Sequence, residues 1–182
     1  PLGSLSPLYG LTDLLRLRKG YLVYTGLLRT TIPAVVRSVP LGGFSTPVSA
    51  EQFSISADAH LALGHIGEED YSCDTPDRKG KNRTSCLRRL ARVVCADLEE
   101  IGAGGALQVA HAFWDAQREV IRNAVARAMD ESGACRIYTA GTGSGLLSSV
   151  LGGTDLSLEI GPAATALPAY AVREVLRRGR GW

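Results

Sequence analysis

What the 182-residue chain lacks narrows its chemistry first. No apolar run reaches the roughly 18–20 residues of a membrane-spanning helix, and no signal peptide is visible. Lysine occurs only at positions 19, 79 and 81, the net charge is only +2, and no aromatic residues interleave with the arginines. A nucleic-acid surface needs a basic field and stacking platforms, so that partner class is set aside. Four cysteines, Cys73, Cys86, Cys95 and Cys135, form no CxxC pair. That spacing indicates neither a zinc framework nor a disulfide scaffold, and it fits reduced thiols in a cytoplasmic protein with no membrane partner. The glycine-rich stretch near residue 141 is followed by no GKS or GKT and lacks the full GxGxxG fingerprint, so neither nucleotide motif is present.

What is there suffices for a folded domain. Hydrophobic residues make up 45% of the chain, which excludes disorder, and the length fits one domain or one and a half. Residues 1–4, Pro-Leu-Gly-Ser, read as the remnant of tag removal and are excluded from fold reasoning. Residues 5–50 read as a β-rich start. Within them, Thr12-Asp13 caps a short helical segment ended by Gly20, Tyr21–Thr30 forms a strand, and Ala34–Val39 a second extended piece before a Pro40-Leu-Gly-Gly turn. Residues 51–105 read as a helical insertion: one helix from a Ser49 cap through Leu63, ended by Gly64, and another capped by Thr84 or Ser85 that runs to Ile101. Residues 106–182 form an α/β remainder. It comprises a core helix over Ala106–Glu131, a strand at Cys135–Thr139, a strand at Leu156–Ile160 and a last helix over Ala166–Arg178 that begins with Pro168.

Polar chemistry concentrates between Glu51 and Asp97. Glu51, Asp58 and His65 recur at intervals of seven, which lines them along one edge of a continuous helix. A loop then supplies Glu68, Glu69, Asp70, Asp74 and Asp77, followed by Arg78, Lys79, Lys81 and Arg83, and the next helix adds Arg88, Arg89 and Arg92. Acid crowded against base can hold a divalent cation and phosphate oxygens together, or it can be a solvated loop with local ion pairs. Arg29 and Thr30, where the first strand ends, can clamp an anion, or the arginine can simply snorkel. A strand running into Gly141-Thr142-Gly143 and then a helix presents backbone N–H groups to an anion, although such turns also occur with nothing bound. Trp114 and His111 fit packing or surface roles better than ligand contact.

Four segments occur in a telling order: LTDLLRLRKGYLVYTGLLRT, SAEQFSISADAHLALGHI, EEDYSCDTPDRKG and LRRLARVVCAD. Over about residues 11–101 the chain resembles the hydantoinase/oxoprolinase-related proteins of the tetrahydromethanopterin-linked C1-transfer pathway. The resemblance implies an α/β, actin-like and sugar-kinase-like fold of two RNase H-type lobes. The family's DIGGAN-like and DIGSTTTD-like phosphate loops do not occur here, so the chain matches a C-terminal lobe without its N-terminal one. That points to a split subunit, a truncated chain or a cleaved product. Where the family has a DGR-like stretch, Asp77-Arg78-Lys79-Gly80 stands instead.

The implied activity is a transferase of methanofuran biosynthesis that joins a furanylmethyl diphosphate to the phenol of a glutamyl-tyramine and releases pyrophosphate. Mg²⁺ is the implied cofactor, because the departing diphosphate needs its charge neutralised. Asp58, Asp74 and Asp77 are then the candidate metal or general-base carboxylates, with Asp74 and Asp77 as metal ligands. Glu51 or Asp70 would accept the phenol proton. Arg29, Thr30, Lys79, Arg89, Arg92 and the Gly141-Thr142-Gly143 turn would hold phosphate. The implied partner is a chain carrying the N-terminal lobe, or a second copy. Two rivals remain: an ATP-dependent kinase or amidohydrolase of the same superfold, and a non-catalytic half that stabilises a catalytic partner.

Overall fold

The computed structural model describes residues 10–179. The reading of residues 1–4 as a tag remnant lies outside these. Contacts divide the chain into two units, with the break between Ala126 and Arg127. Among the described residues the fold is helix-rich and mixed, with short strands that form two two-stranded sheets.

In the first unit, helix α1 (Asp13–Lys19) starts where the Thr12 hydroxyl accepts from the Leu15 N–H, and it stops at Gly20 in the left-handed region at φ 73°. Both ends agree with the sequence signals. The following segment does not form the expected strand. Residues 21–26 are irregular and 27–29 turn, and none of the described strands pairs with them. Their carbonyls and that of Thr30 are taken instead by the start of the next α-helix: Ser56 N–H donates to Thr30 O at 2.7 Å and Ala57 N–H to Leu28 O at 3.3 Å. A single-turn 3-10 helix follows at Ile32–Ala34. The predicted extended piece starts later than expected, as strand β1 (Ser38–Leu41), and pairs antiparallel with β2 (Phe44–Pro47). Gly42 and Gly43, at φ 57° and 85°, make the two-residue turn, a backbone that side chains rarely tolerate.

Helix α2 (Ser56–Ala62) is shorter than predicted, and all its residues are buried. It begins at Ser56 because the Asp58 carboxylate reaches back to accept the Ile55 N–H at 3.1 Å, capping the helix from its third position. Glu51 and His65 therefore lie outside it, and the expected edge of Glu51, Asp58 and His65 does not exist. Helix α3 (Arg83–Arg92) is capped by Asn82, whose side chain accepts from the Ser85 N–H, rather than by Thr84 or Ser85. It ends nine residues before Ile101, since Leu98 and Ile101 belong to α4 (Leu98–Ser132). Gly102, at φ 66° and ψ 174°, breaks α4 near its start, between the stretches that the sequence analysis read as two helices. One core gathers Ile32, Val36 and Val39 with Ala59 and Ala62 of α2, Leu87, Leu90 and Val93 from α3 and its end, and Ala106, Val109, Ala110 and Phe113 of α4. A smaller cluster joins Ile55, Ala57, Leu61, Tyr71 and Cys86.

In the second unit, strand β3 is only Tyr138–Thr139 and pairs in parallel with β4 (Thr154–Asp155). Helix α5 (Ser144–Leu151) lies between them in sequence and is capped by Gly143 at φ 88° and Gly152 at φ 66°. The strand expected at Leu156–Ile160 is a short helix, α6 (Ser157–Ile160), started by the Asp155 carboxylate accepting the Ser157 N–H at 2.9 Å. Helix α7 (Leu167–Arg178) has the predicted proline in its first turn. None of the described helices is long and apolar enough to cross a membrane.

Candidate functional site

Helix α2 would be an ordinary buried helix except that three of its residues are polar: Ser56, Asp58 and His60. A buried polar group must find partners or cost stability, and each of the three anchors a different neighbouring segment.

Asp58 is fully buried and accepts five hydrogen bonds. Its Oδ2 takes the Ser54 hydroxyl at 2.9 Å and the Ile55 N–H; its Oδ1 takes the Tyr71 hydroxyl at 3.0 Å and Arg89 Nε and Nη2 at 2.9 and 2.7 Å. Arg89, only 1% exposed, spends its remaining donors on Asp77 Oδ1 and Gly80 O, each at 3.0 Å, and on Cys86 Sγ at 3.5 Å. Burial opposes the Arg89 charge, but Asp58 outweighs it and holds the guanidinium's pKa above its ordinary value. Burial and the Asp58 charge raise the Tyr71 phenol likewise, and burial pushes the Cys86 thiol up to about 12. Arg89 is thus no phosphate clamp, and Asp58 is no free base: every donor of the one and both oxygens of the other are already committed.

Asp77 belongs to the same frame. Its Oδ1 accepts from Arg89 and from the Lys79 N–H at 3.1 Å. Burial pushes its pKa up, but the Lys79 N–H and the Arg89 charge outweigh that and leave it below the ordinary value. The expected metal pair of Asp74 and Asp77 is therefore split, with Asp77 turned to Arg89. Among the described residues, no group of three or more His, Cys, Asp or Glu side chains is placed to hold a metal ion. The network pins the 71–81 loop at Tyr71, Asp77 and Gly80, and Lys81 adds a bond from Nζ to Tyr71 O at 2.6 Å.

The pinned loop forms one wall of a cleft of about 530 Å³, lined by Arg29, Gln52, Ile55, Ser72, Cys73 and Asp74. Arg29 and Asp74 are both exposed, and neither has an ion-pair partner among the described residues. A free cation and a free carboxylate thus face one cleft. The other candidates lie elsewhere. Glu51, Lys79 and Arg92 are exposed and do not line it. Asp70 closes a local turn by accepting the Gly67 N–H at 3.0 Å. The Thr30 hydroxyl accepts the Gly26 N–H at 2.8 Å, so it locks the turn before Arg29 and is not turned to a ligand.

In the second unit, Gly141-Thr142-Gly143 does lead into α5, with Gly141 and Gly143 at φ 96° and 88°. The helix start is already faced by an anion: Asp155 accepts the Ser157 N–H at 2.9 Å, and Ser144 and Ser157 together lower its pKa. An incoming phosphate would meet that charge.

Sequence reasoning missed Tyr71, His60 and Gln117. His60 is buried and shares a 2.9 Å contact between its Nδ1 and His65 Nδ1, while its Nε2 donates to Gln117 Oε1 at 2.9 Å. Burial, against the opposing Gln117 bond, lowers its pKa to about 4. The signal was present: Gln117 is a polar residue in the apolar register of the core helix, where burial without a partner is costly.

The model of the hydantoinase/oxoprolinase family matches residues 9–173. Two relatives carry the same name, (4-{4-[2-(gamma-L-glutamylamino)ethyl]phenoxymethyl}furan-2-yl)methanamine synthase. The one from Methanocaldococcus jannaschii is 35% identical over 178 residues, covering 92% of this chain and 52% of its own length. The one from Methanococcus vannielii is 34% identical over 140 residues, covering 77% of this chain and 63% of its own. The chain thus spans about half the length of the first relative and under two thirds of the second. It belongs to the hydantoinase/oxoprolinase family.

Proposed function

We propose that this chain is the C-terminal half of a transferase of methanofuran biosynthesis and that the Arg29–Asp74 cleft receives the diphosphate of its substrate. The product named for both relatives contains a phenoxymethyl-furan ether, a bond between a phenol oxygen and a furanylmethyl carbon. Forming it from a furanylmethyl diphosphate breaks the carbon–oxygen bond to the diphosphate as the phenol oxygen of a glutamyl-tyramine adds, with the phenol proton passing to water. The departing pyrophosphate carries most of the developing charge, so a cation placed at it contributes most to catalysis.

The observation that carries the proposal is the unpaired Arg29 and Asp74 lining one cleft. The planar fork of Arg29 suits two phosphate oxygens at once. A closed metal cage is missing among the described residues, but Mg²⁺ keeps its waters and needs only one or two carboxylates beside substrate phosphates, which Asp74 satisfies. When bound, the ion supplies further neutralisation of the diphosphate. The N-terminal lobe, carried on a partner chain, would complete the fold. Exposed apolar side chains support such a partner: Leu14 and Leu17 on α1, and Val172, Val175 and Leu176 along α7.

Titrating the chain with pyrophosphate in the presence of Mg²⁺ tests the cleft. Wild type is expected to bind, Arg29→Lys to bind about tenfold more weakly because the fork is lost, and Arg29→Ala to lose binding. Binding that survives Arg29→Ala, or none by wild type, would overturn the proposal. Capture of ATP but not pyrophosphate would favour the kinase alternative.

A further inference from the structure

The turn that presents Arg29 is held from two sides, and one of the holds comes from a residue far away in sequence. On one side, Thr30 is fixed to α2: its N–H donates to Ser56 Oγ at 3.1 Å and its carbonyl accepts the Ser56 N–H at 2.7 Å. On the other side stands Gln117 of α4, 2% exposed, whose Nε2 donates to Gly26 O at 3.0 Å and to Thr25 Oγ1 at 2.8 Å. The Thr25 hydroxyl in turn lies 3.3 Å from Thr30 Oγ1, closing the loop around residues 25–30.

The orientation of Gln117 follows from its partners. The Gly26 carbonyl only accepts, so the amide nitrogen must face it, and Gln117 Oε1 is left to accept from His60 Nε2–H. Neutral His60 then has a bare Nδ1, and the 2.9 Å contact requires His65 Nδ1–H to donate to it. Every hydrogen-bonding atom of the Gln117 amide is used, and its two donors act on the turn that carries Arg29. A glutamine inside an apolar helix face needs that full set of partners to be tolerated.

We propose that Gln117 is a positioning residue for anion binding: backed by His60, it fixes the Gly26 carbonyl and so aims Arg29 into the cleft. The inference rests on the Arg29–Asp74 cleft being the diphosphate site. Gln117 touches no ligand; it acts through the turn. Removing its donors leaves Thr30 tied to Ser56 and Gly26 tied to the Thr30 hydroxyl, but the turn loses its hold on α4 through the Gly26 carbonyl and Thr25 while the core stays packed.

Gln117→Glu separates the two halves of the amide. The carboxylate still accepts from His60 but has no donor for Gly26 O or Thr25. Measured with Mg²⁺ and inorganic pyrophosphate on this chain, the variant is expected to bind about tenfold more weakly, the loss of one well-aligned charged hydrogen bond. Amide hydrogen exchange should accelerate at Gly26 and Thr30 while Val109 and Phe113 in the core keep their protection, a local pattern that general destabilisation does not produce. Should Gln117→Glu not fold, Thr25→Val carries the test. It keeps the Gln117 bonds to His60 and Gly26, removes the hydroxyl link, and is expected to weaken pyrophosphate severalfold with the same faster exchange at Thr30. Wild-type affinity in the folded variants, with Arg29→Ala still losing binding, would leave the cleft intact and overturn the role of Gln117. If Arg29→Ala binds like wild type, the diphosphate site and this role both fail.

Discussion

The Asp58–Arg89 pair and the Arg29–Asp74 pair lie in the same unit and are each one arginine and one aspartate, yet they are opposites physically. In the first, the charges are 2.7 Å apart, out of water, with every donor of the guanidinium committed. In the second, both side chains are exposed, line one cleft and have no ion-pair partner among the described residues. A saturated buried pair has no spare valence for a ligand, and removing one partner strands the other in a medium that does not solvate it. An exposed unpaired couple contributes little to folding and keeps its field for whatever enters. The difference teaches that charge density in a sequence marks neither framework nor site; the partners decide. Here the framework also serves the site, because Arg89 holds Asp77 and Gly80 and thereby the loop that carries Asp74.

The comparison breaks first, and hardest, at its buried end. Asp58→Asn or Arg89→Met should each cost about 3–5 kcal/mol in urea unfolding, since each leaves an uncompensated buried charge or orphaned donors. The double variant should lose clearly less than the sum, because once one partner is gone the other no longer contributes. Strict additivity would mean that the two residues do not act as a unit. A loss below about 1 kcal/mol in either single variant would show that the site reaches water.

Much of the scaffold was legible because short-range chemistry determined it. Thr12 and Gly20 bound α1, Gly42-Gly43 turns the hairpin, the apolar period of Leu107, Ala110, Phe113 and Trp114 marks the core helix, and Pro168 opens α7. What failed depended on distant partners. Tyr21–Thr30 has strand composition, but its backbone bonds go to Arg16, Ser56 and Ala57 rather than to any described strand. The seven-residue spacing of Glu51, Asp58 and His65 suggested one helix edge, whereas Asp58 turns back to cap and sets the helix start at Ser56. Among Arg88, Arg89 and Arg92, nothing local says that Arg89 meets a carboxylate 31 residues upstream. Of the residues lining the cleft, Arg29 reads as the end of a strand and Asp74 as part of the acidic loop, paired with Asp77, and neither reading places them together. Gln52, Ser72 and Cys73 do not read as site residues, because lining a cleft is a property of the packed loop.

A second test sharpens the comparison by pH. His60 is buried neutral, with a pKa near 4 against an ordinary 6.5. Between those values the unfolded chain binds a proton that the folded chain refuses, so stability is full above pH 6.5 and falls as pH drops toward 4. The loss should approach roughly 3 kcal/mol, since excluding one proton costs about 1.4 kcal/mol for each pH unit between the two values. Asp77 works in the same direction at lower pH: its lowered pKa contributes stability above the ordinary value of 3.8 that is lost only on further acidification. Urea midpoints at several pH values should therefore decline in two stages, and His60→Gln should shrink the earlier one to the part left by His65, whose pKa burial also lowers. A wild-type curve flat between pH 6.5 and 4 would show that His60 takes up its proton without unfolding.

The smallest effect on folding is expected at the exposed end, and it separates a site from a surface. Asp74 lines the cleft, has no hydrogen-bond or ion-pair partner among the described residues, and sits in a loop already pinned by Tyr71, Asp77 and Gly80. Asp74→Asn keeps the shape and removes only the charge. It should change stability by no more than about 0.5 kcal/mol, the range of an ordinary surface substitution. If Asp74 holds Mg²⁺ against the diphosphate, the same change should abolish the gain in pyrophosphate affinity that Mg²⁺ gives wild type. Without Mg²⁺ the variant should bind as well as wild type or better, because a carboxylate beside a phosphate repels it. Calorimetric titrations with and without the ion, on both proteins, give the four affinities needed. An unchanged Mg²⁺ dependence in a normally stable variant would make Asp74 a surface carboxylate and leave Arg29 alone in the cleft. An early-melting variant would show that the 71–81 loop relies on Asp74 as it does on Asp77.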